Sequence, residues 1–550
     1  MKREHWIVTA LCILLLAGNA CSEKPLPLET ESLIVRCEDQ RNADPLIELL
    51  KKIGDGERRI PSRLAIAAGR IGDFRLWRTV RDRFGSDPVV SDSLAGAVLF
   101  PGHNFPKEQL FDLLKPLPYT PILCQAMLSL AEPQSLRFVL DKKVYPDVIA
   151  ENLWRSGSRV SDQQLRQSYS GHPYQTVYSS ARLRRKGFVK SRDISGASPF
   201  TRCIGTTVCD NPSIFLHDPD WRVRTAALRV LEKGEAGRSL LSDENPLVVS
   251  EAYAALARFG LDLSTAEIDR MTPMQAALFL ANQKDSSSVV MIYSRGGEFA
   301  RLAAPFMPAE AREEILGGNL PLSAKLAYLM NQNPVEAIGT ARTAFFEQES
   351  SQALQFLLEN EKHENLTDVI TMAKGKPEFV SVLIDNNLIK QPIPNRDDNW
   401  YRNALEKIRR YRGFTLICSE GIIRCRFEHE QAPLTVFNFI ELAEKGYYDN
   451  TVFHRVVPAF VCQGGDPTGS GSGGPGYAIR CEYNTLHYDG AGVVGMALAG
   501  KDTGGSQFFL THLATPHLDY NYTIFARVIA GISVLNRIEQ YHRLEKIQLW

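Results

Sequence analysis

The sequence has no Cys-x-x-Cys pair, no net charge, and no uninterrupted apolar run long enough to cross a bilayer comfortably. Each absence removes a class of function. Without thiols at metal spacing, a zinc module or a thioredoxin-like redox site has no ligands to start from. Lys plus Arg number 63 against 63 Asp plus Glu, with no long basic block, so nothing electrostatic points to nucleic acid. The 11 His are scattered, and no nucleophile–base pair or metal cluster stands out before residue 390. No metal and no cofactor is expected. What remains is ordinary globular composition over 550 residues, 44% hydrophobic, enough for two or more domains.

The N-terminus carries an address. Lys2 and Arg3 precede the apolar run WIVTALCILLLAGNA, which stops before Cys21. A basic start, a short apolar stretch and small residues at Gly18 and Ala20 form a signal-peptide layout over residues 1–20. Cys21 at the cut point resembles a bacterial lipobox, with Gly18 where the commonest lipoboxes carry Leu. The expectation is lipidation of Cys21 and a lipid-anchored place in the bacterial cell envelope, periplasm-facing or on the outer membrane. Plain secretion after the same cleavage is the alternative. Residues 21–44, with SEKPLPLETES near the start, read as the lipidated Cys and a polar tether. Of the remaining Cys, Cys203 and Cys209 are spaced to close a small loop, and most are expected to be buried as small hydrophobes.

Residues 45–390 are helical in pattern, and related segments recur. DPVVSDSLAGAVL starts at Asp87, DPDWRVRTAALRVL at Asp218 and NPLVVSEAYAALARFG at Asn245; PSRLAIAAGRIGD, from Pro61, keeps the Pro and the Ala stripe. Asp or Asn caps the free N–H groups of a first turn. Pro at the first helical position has no N–H to leave unsatisfied. Small Ala side chains let a neighbouring helix approach. The segments from Asp218 and Asn245 resemble HEAT repeats, so the predicted architecture is an all-α solenoid, with an irregular helical domain as the alternative. Such a surface suits a protein partner. QPIPNRDD, Gln391–Asp398, breaks the pattern, and residues 391–413 read as a linker and a helix ending at Gly413, its basic cluster a solvated face.

After Gly413 the period changes from helix to strand. FTLICSEGIIRCRFE reads as two strands about a Ser-Glu-Gly turn. APLTVFNFIELAEKGYYDN reads as an amphipathic helix with Thr435 as a cap. Three further motifs follow in order: Phe453-His454-Arg455, Gln463-Gly464-Gly465-Asp466, and Gly505-Ser506-Gln507-Phe508-Phe509, with Leu518-Asp519 and Phe525 after them.

On these motifs residues 414–550, about a quarter of the chain, resemble a cyclophilin-type peptidyl-prolyl cis-trans isomerase of the bacterial kind. The resemblance implies a closed eight-stranded antiparallel barrel capped by two helices, with a groove on its outer face for Pro-containing polypeptides. It also suggests an explanation for a lone guanidinium among apolar residues. An X–Pro bond exchanges slowly because amide resonance must be broken, at a barrier near ~20 kcal/mol. Twisting makes the prolyl nitrogen pyramidal and basic. A guanidinium aimed at that nitrogen binds the twisted state better than the planar one. By motif match Arg455 is that group. Phe460, Val461, Phe509 and Leu518 match the proline pocket, and Gln463 matches the residue that orients the arginine or binds substrate backbone. Gln507 matches another backbone-binding position; Ala497 and Leu498 match the substrate edge; Tyr522 matches the pocket rim. His454 is read as structural, and the strand parity of Cys462 points it away from the groove.

The segment also departs from the family. Val461 stands where Met is common, Leu498 where Asn is frequent, Ala459 for a common Gly, Gly495 for a frequent Ser, and His517 where eukaryotic members often have Trp. The last substitution implies weak cyclosporin binding. The expected activity is prolyl isomerisation assisting the folding of envelope proteins. The alternatives are a scaffold that binds Pro-containing segments without catalysis, or a chaperone arm.

Overall fold

The computed structural model describes residues 26–550 apart from 55–56, 143, 172, 186, 283–286, 377–378, 380–381, 384–387, 389–395 and 472; the side chains of 158, 168–175, 234–235 and 351 are also excepted. The expected signal segment, the lipidation site Cys21 and the linker stretch from Gln391 to Asn395 lie outside the described residues. Among the described residues no helix is long and apolar enough to cross a membrane.

The N-terminal part, the arm, is built from helices that stack in chain order. One row of them is α1 (Leu28–Asp39), α2 (Arg59–Ile71), α3 (Pro88–Leu99), α4 (Pro121–Ser129), α5 (Pro146–Asn152), α6 (Pro173–Arg182), α7 (Pro199–Gly205), α8 (Trp221–Arg229), α9 (Pro246–Arg258) and α10 (Pro273–Asn282), with further helices between them and after residue 282. Each packs on the next. Capping sets where they begin. The Asp87 carboxylate accepts from Val89 N at 2.8 Å and Val90 N at 3.2 Å, and Asn245 Oδ1 accepts from Leu247 N at 2.9 Å. The third expected cap moves: α8 is capped by Asp220, while Asp218 forms a two-pronged ion pair with Arg202 at 2.7 and 2.8 Å. Arg224 grips Asp243 in the same way, at 2.7 and 2.8 Å. Small residues do bring helices together, since a Cβ on Gly69 of α2 would lie 2.8 Å from the Ala97 Cβ of α3.

Residues 28–39 do not form part of a polar tether. They make up α1, whose Ile34, Val35 and Cys37 are buried because α2 and α11 (Asp398–Ile408) cover them. Helix α11 stops at Ile408, and Gly413 opens the first strand. Part of its basic cluster is not solvated, because Lys407 pairs with Glu441 and Glu444. Cys203 and Cys209 both carry free thiols, and all eight described Cys are unpaired, seven of them buried.

The C-terminal domain is a single antiparallel sheet with α12 (Pro433–Glu444) and the one-turn helix Ile532–Leu535. Its strands are β1 (Gly413–Cys418), β2 (Gly421–Phe427), β3 (Thr451–Val452), β4 (Arg455–Val457), β5 (Val461–Gly464), β6 (Val493–Met496), β7 (Phe508–Thr511), β8 (Ile524–Ala530) and β9 (Arg543–Leu549), in the spatial order β3-β9-β1-β2-β8-β6-β7-β5-β4. There are nine strands where eight were expected, and among the described residues no ladder joins the end strands β3 and β4. Those two ends are nevertheless linked by only Phe453 and His454. A flat sheet of this width would hold them about 38 Å apart, at about 4.8 Å per strand. Two linking residues span at most about 11 Å, so the sheet is strongly curled. Side-chain alternation sorts its two faces. Cys462, Val494, Phe508, Leu510 and Phe525 enter the core, and Cys462 does point away from the outer face as its parity implied.

Helix α12 begins at Pro433, and Thr435 lies inside it rather than capping it. Its free N–H groups are satisfied from afar: Glu482 accepts from Leu434 N at 3.1 Å, Thr435 N at 2.7 Å and Thr435 Oγ1 at 2.8 Å.

Arm and domain share one core. Val35, Leu247 and Met274 of the arm lie in the same buried cluster as Phe414, Phe439 and Phe508. Burying each such side chain stabilises by about 1.5–3 kcal/mol. Charges are buried in this seam as well. Arg70, 2% exposed, donates to Glu38 at 3.0 Å, to the Tyr483 and Gln431 carbonyls at 2.7 Å, and to the Glu482 carbonyl at 3.4 Å. Burial alone would raise the Glu38 pKa; Arg63 and Arg70 outweigh it and hold the carboxylate at about 2. The Tyr401 hydroxyl donates to Asp39 at 2.6 Å, fastening α11 to α1.

Candidate active site

The outer face of the curled sheet carries the site, and strand register assembles it. Arg455 on β4 lies opposite Gln463 on β5, and Gln463 lies opposite Phe509 on β7. Period-2 alternation therefore places the arginine, the amide and the phenyl ring in one row. The exposed Arg455 guanidinium donates to Gln463 Oε1 at 3.4 Å and sits 6.0 Å from the centre of the Phe460 ring. Gln463 in turn donates to Gln507 Oε1 at 2.9 Å. Burial lowers the Arg455 pKa from its ordinary value, with Tyr522 opposing; at this starting value the group stays charged.

Beside this row lies an apolar notch. Val461, Phe509 and Leu518 are buried in one cluster, with Phe460, Ala497 and Tyr522 packed against it. The Tyr522 ring meets the Phe509 ring edge-on at 5.7 Å, and His517 stacks on Phe460 at 5.4 Å. Ala497 N donates to the Gln507 carbonyl at 3.0 Å, which sets the edge strand. Gln463, Ala497, Leu498 and Gln507 also line a depression of about 140 Å³. These contacts link the residues expected at the isomerase site to one another. Cys21 lies outside the described residues.

The glycine-rich loop after Gln463 has a local cause. It winds around buried Asp466, whose carboxylate accepts from Thr468 N at 2.7 Å and Gly473 N at 3.1 Å. A Cβ at Gly473 would come within 2.0 Å of that carboxylate. Gln507 Nε2 ties the loop down at the Gly471 and Gly473 carbonyls, at 2.8 and 3.0 Å.

Sequence reasoning missed the floor of the notch. Tyr488 stacks under Phe509 at 5.6 Å, and Val493 and Ile524 join the same cluster. The strand alternation of Val493 was the available signal. Gly495 leaves room for that stack, since a Cβ there would meet the Tyr488 hydroxyl at 2.2 Å and Phe509 at 2.5 Å. His454 is buried, which lowers its pKa.

Three of the five family departures, Ala459, Leu498 and His517, lie towards the arm. Ala459 adopts φ +57°, a backbone region that favours glycine, and its methyl is buried among arm residues including Val223 and Ala226. Leu498 packs in a cluster with Leu99 and Phe100 of the arm and Tyr520 of the domain. The charge of Arg182, on α6, adds to burial in lowering the His517 pKa to about 4.

Residues 414–548 match the family model for cyclophilin type peptidyl-prolyl cis-trans isomerases. The chain is 44% identical over 138 residues to peptidyl-prolyl cis-trans isomerase B of Bacillus subtilis, covering 25% of this chain and 96% of that protein. It is 43% identical over 136 residues to a peptidyl-prolyl cis-trans isomerase of Helicobacter pylori, covering 24% and 83%. A peptidyl-prolyl cis-trans isomerase of Synechococcus elongatus is 51% identical over 108 residues, covering 20% of this chain and 74% of its own. Through its C-terminal domain, the chain belongs to the cyclophilin-type peptidyl-prolyl cis-trans isomerase family.

Proposed function

We propose that this protein catalyses cis/trans exchange at X–Pro bonds of polypeptide clients. The observation that carries the reading is a charged guanidinium held beside Phe460, at the rim of a notch made by Val461, Phe509 and Leu518. The notch takes the proline ring. Arg455 donates to the prolyl nitrogen as the amide twists, and Gln463 steers the guanidinium. Gln507, Ala497 and Leu498 hold the substrate main chain on one side, with His517 and Tyr522 at the rim. No bond to a side chain forms and no proton is transferred. NMR exchange spectroscopy on a Pro-containing peptide tests this: exchange is accelerated, and Arg455→Ala abolishes most of the acceleration. A peptide that binds without faster exchange would favour a non-catalytic scaffold instead.

The same proposal covers the rest of the chain. The arm is a HEAT-like solenoid, supported by serial helix stacking and by the matched Arg202–Asp218 and Arg224–Asp243 pairs. The sheet is a closed barrel, supported by the two-residue link between β3 and β4. The arm runs from α1 to residue 390, the linker and its helix from 391 to 413, and the isomerase domain from 414. The mature protein is anchored in the cell envelope through lipidated Cys21 and serves envelope clients; Cys21→Ser should abolish incorporation of labelled palmitate.

A further inference from the structure

An open groove of about 610 Å³ lies where the arm meets the isomerase domain. Phe100, Leu130 and Trp154 of the arm give it an apolar lining, Lys107 and Arg155 bring two cations, and Asn521 lines its domain side. Among the described residues no carboxylate lines it. The Arg155 guanidinium is held over two rings, 4.7 Å from the centre of Trp154 and 5.8 Å from that of Tyr520, and its Nε donates to Asn152 at 3.0 Å. It is therefore a positioned cation over an aromatic surface rather than a free surface charge.

Along two walls, contacts lead from the groove towards the proline site. Asn521 lies between Tyr520, whose hydroxyl donates to Gln125 of the arm at 2.8 Å, and Tyr522, whose ring meets Phe509. On the other wall, Arg182 covers Trp154 at 4.9 Å and its charge bears on His517, the ring stacked on Phe460. Leu498 at the substrate edge packs in one cluster with Leu99 and Phe100. Leu498 and His517, both departures from the family, lie along this junction.

We propose that the groove binds the part of the client that flanks the isomerised proline, taking a large apolar side chain next to a carboxylate. The proposal rests on the isomerase reading. The apolar side chain is desolvated against Leu130 and Trp154 while the carboxylate meets Arg155 and Lys107. The arm is thereby a specificity element of the enzyme, adding binding energy remote from the reacting bond.

The test uses the full chain and blocked peptides sharing an Ala-Ala-Pro-Ala core: the core alone, and the core carrying Phe-Glu-Glu four residues before or after the proline. One extended peptide is expected to show kcat/KM about tenfold above the core. Replacing Glu-Glu by Lys-Lys should remove the gain. Lys107→Glu alone, and Arg155→Glu with Lys107→Glu, should bring the extended peptide down to the core value and leave the core peptide unchanged. Equal kcat/KM for the core and both extended peptides, or indifference of the better one to the charge reversals, would overturn the proposal. If the core peptide is not isomerised at all, the isomerase reading fails instead. Fluorescence titration of the same peptides against Arg455→Ala then still decides the groove: tighter binding of an extended peptide supports it, and equal binding overturns it.

Discussion

Arg70 in the arm–domain seam and Arg455 at the site are both guanidinium groups next to the same small domain, in opposite states. Arg70 is buried and donates to the Glu38 carboxylate and to three backbone carbonyls. Arg455 is exposed and reaches one amide oxygen at 3.4 Å, the long end of the hydrogen-bond range. A guanidinium carries five N–H donors. Where protein acceptors take them, the group holds structure together. Where they are left free beside an apolar notch, they remain available for a ligand. Arginine as a residue type therefore says little here, and its unspent donors say a good deal.

Changes on the seam side should be read in stability. Arg70→Ala leaves Glu38 buried without one of its cations and should destabilise the fold by about 3–5 kcal/mol in chemical denaturation, while exchange per folded molecule stays near normal. A variant as stable as the parent would break the comparison. Acid should sharpen it. His512 and His517 are held at about 4 by burial, below the ordinary 6.5. The unfolded chain therefore takes up protons that the native one refuses as pH falls from 6.5 towards 4. Stability should drop across that window, on the order of 3 kcal/mol per imidazole, and level off below it with respect to these groups. His517, held at about 4, stays neutral between about pH 6 and 8 and should add no pH dependence to the exchange rate there.

Smaller effects separate the regions further. Gln463→Ala removes the amide that steers Arg455 and should lower kcat/KM about tenfold, roughly 1.4 kcal/mol, with the denaturation midpoint nearly unmoved. Asp87→Ala, at the cap of α3, should cost about 1 kcal/mol of stability and leave exchange untouched.

The isomerase site was legible because its residues lie in short linear motifs. Arg455, Gln463 and Phe509 are placed by strand register, and strand period can be read from sequence. What was not legible depends on partners distant in the chain. Thr435 had the look of a cap, yet the carboxylate that serves α12 comes from Glu482. The polar composition of residues 28–39 concealed a helix whose apolar side is covered by α2 and α11. Asp218 matched the capping pattern, but Arg202 claims its carboxylate and the cap passes to Asp220. Ala459, Leu498 and His517 were departures without a cause until the arm was found against them. Each failure has the same physical origin: a local propensity overridden by a tertiary contact.

The most direct test of the central claim is NMR exchange on a short Pro-containing peptide with the full chain and its Arg455→Ala variant, matched for denaturation midpoint. The free guanidinium predicts a loss of about 10²–10³ in catalysed exchange, of the size seen when a preorganised transition-state donor is removed. Exchange undiminished in a folded Arg455→Ala protein would contradict it.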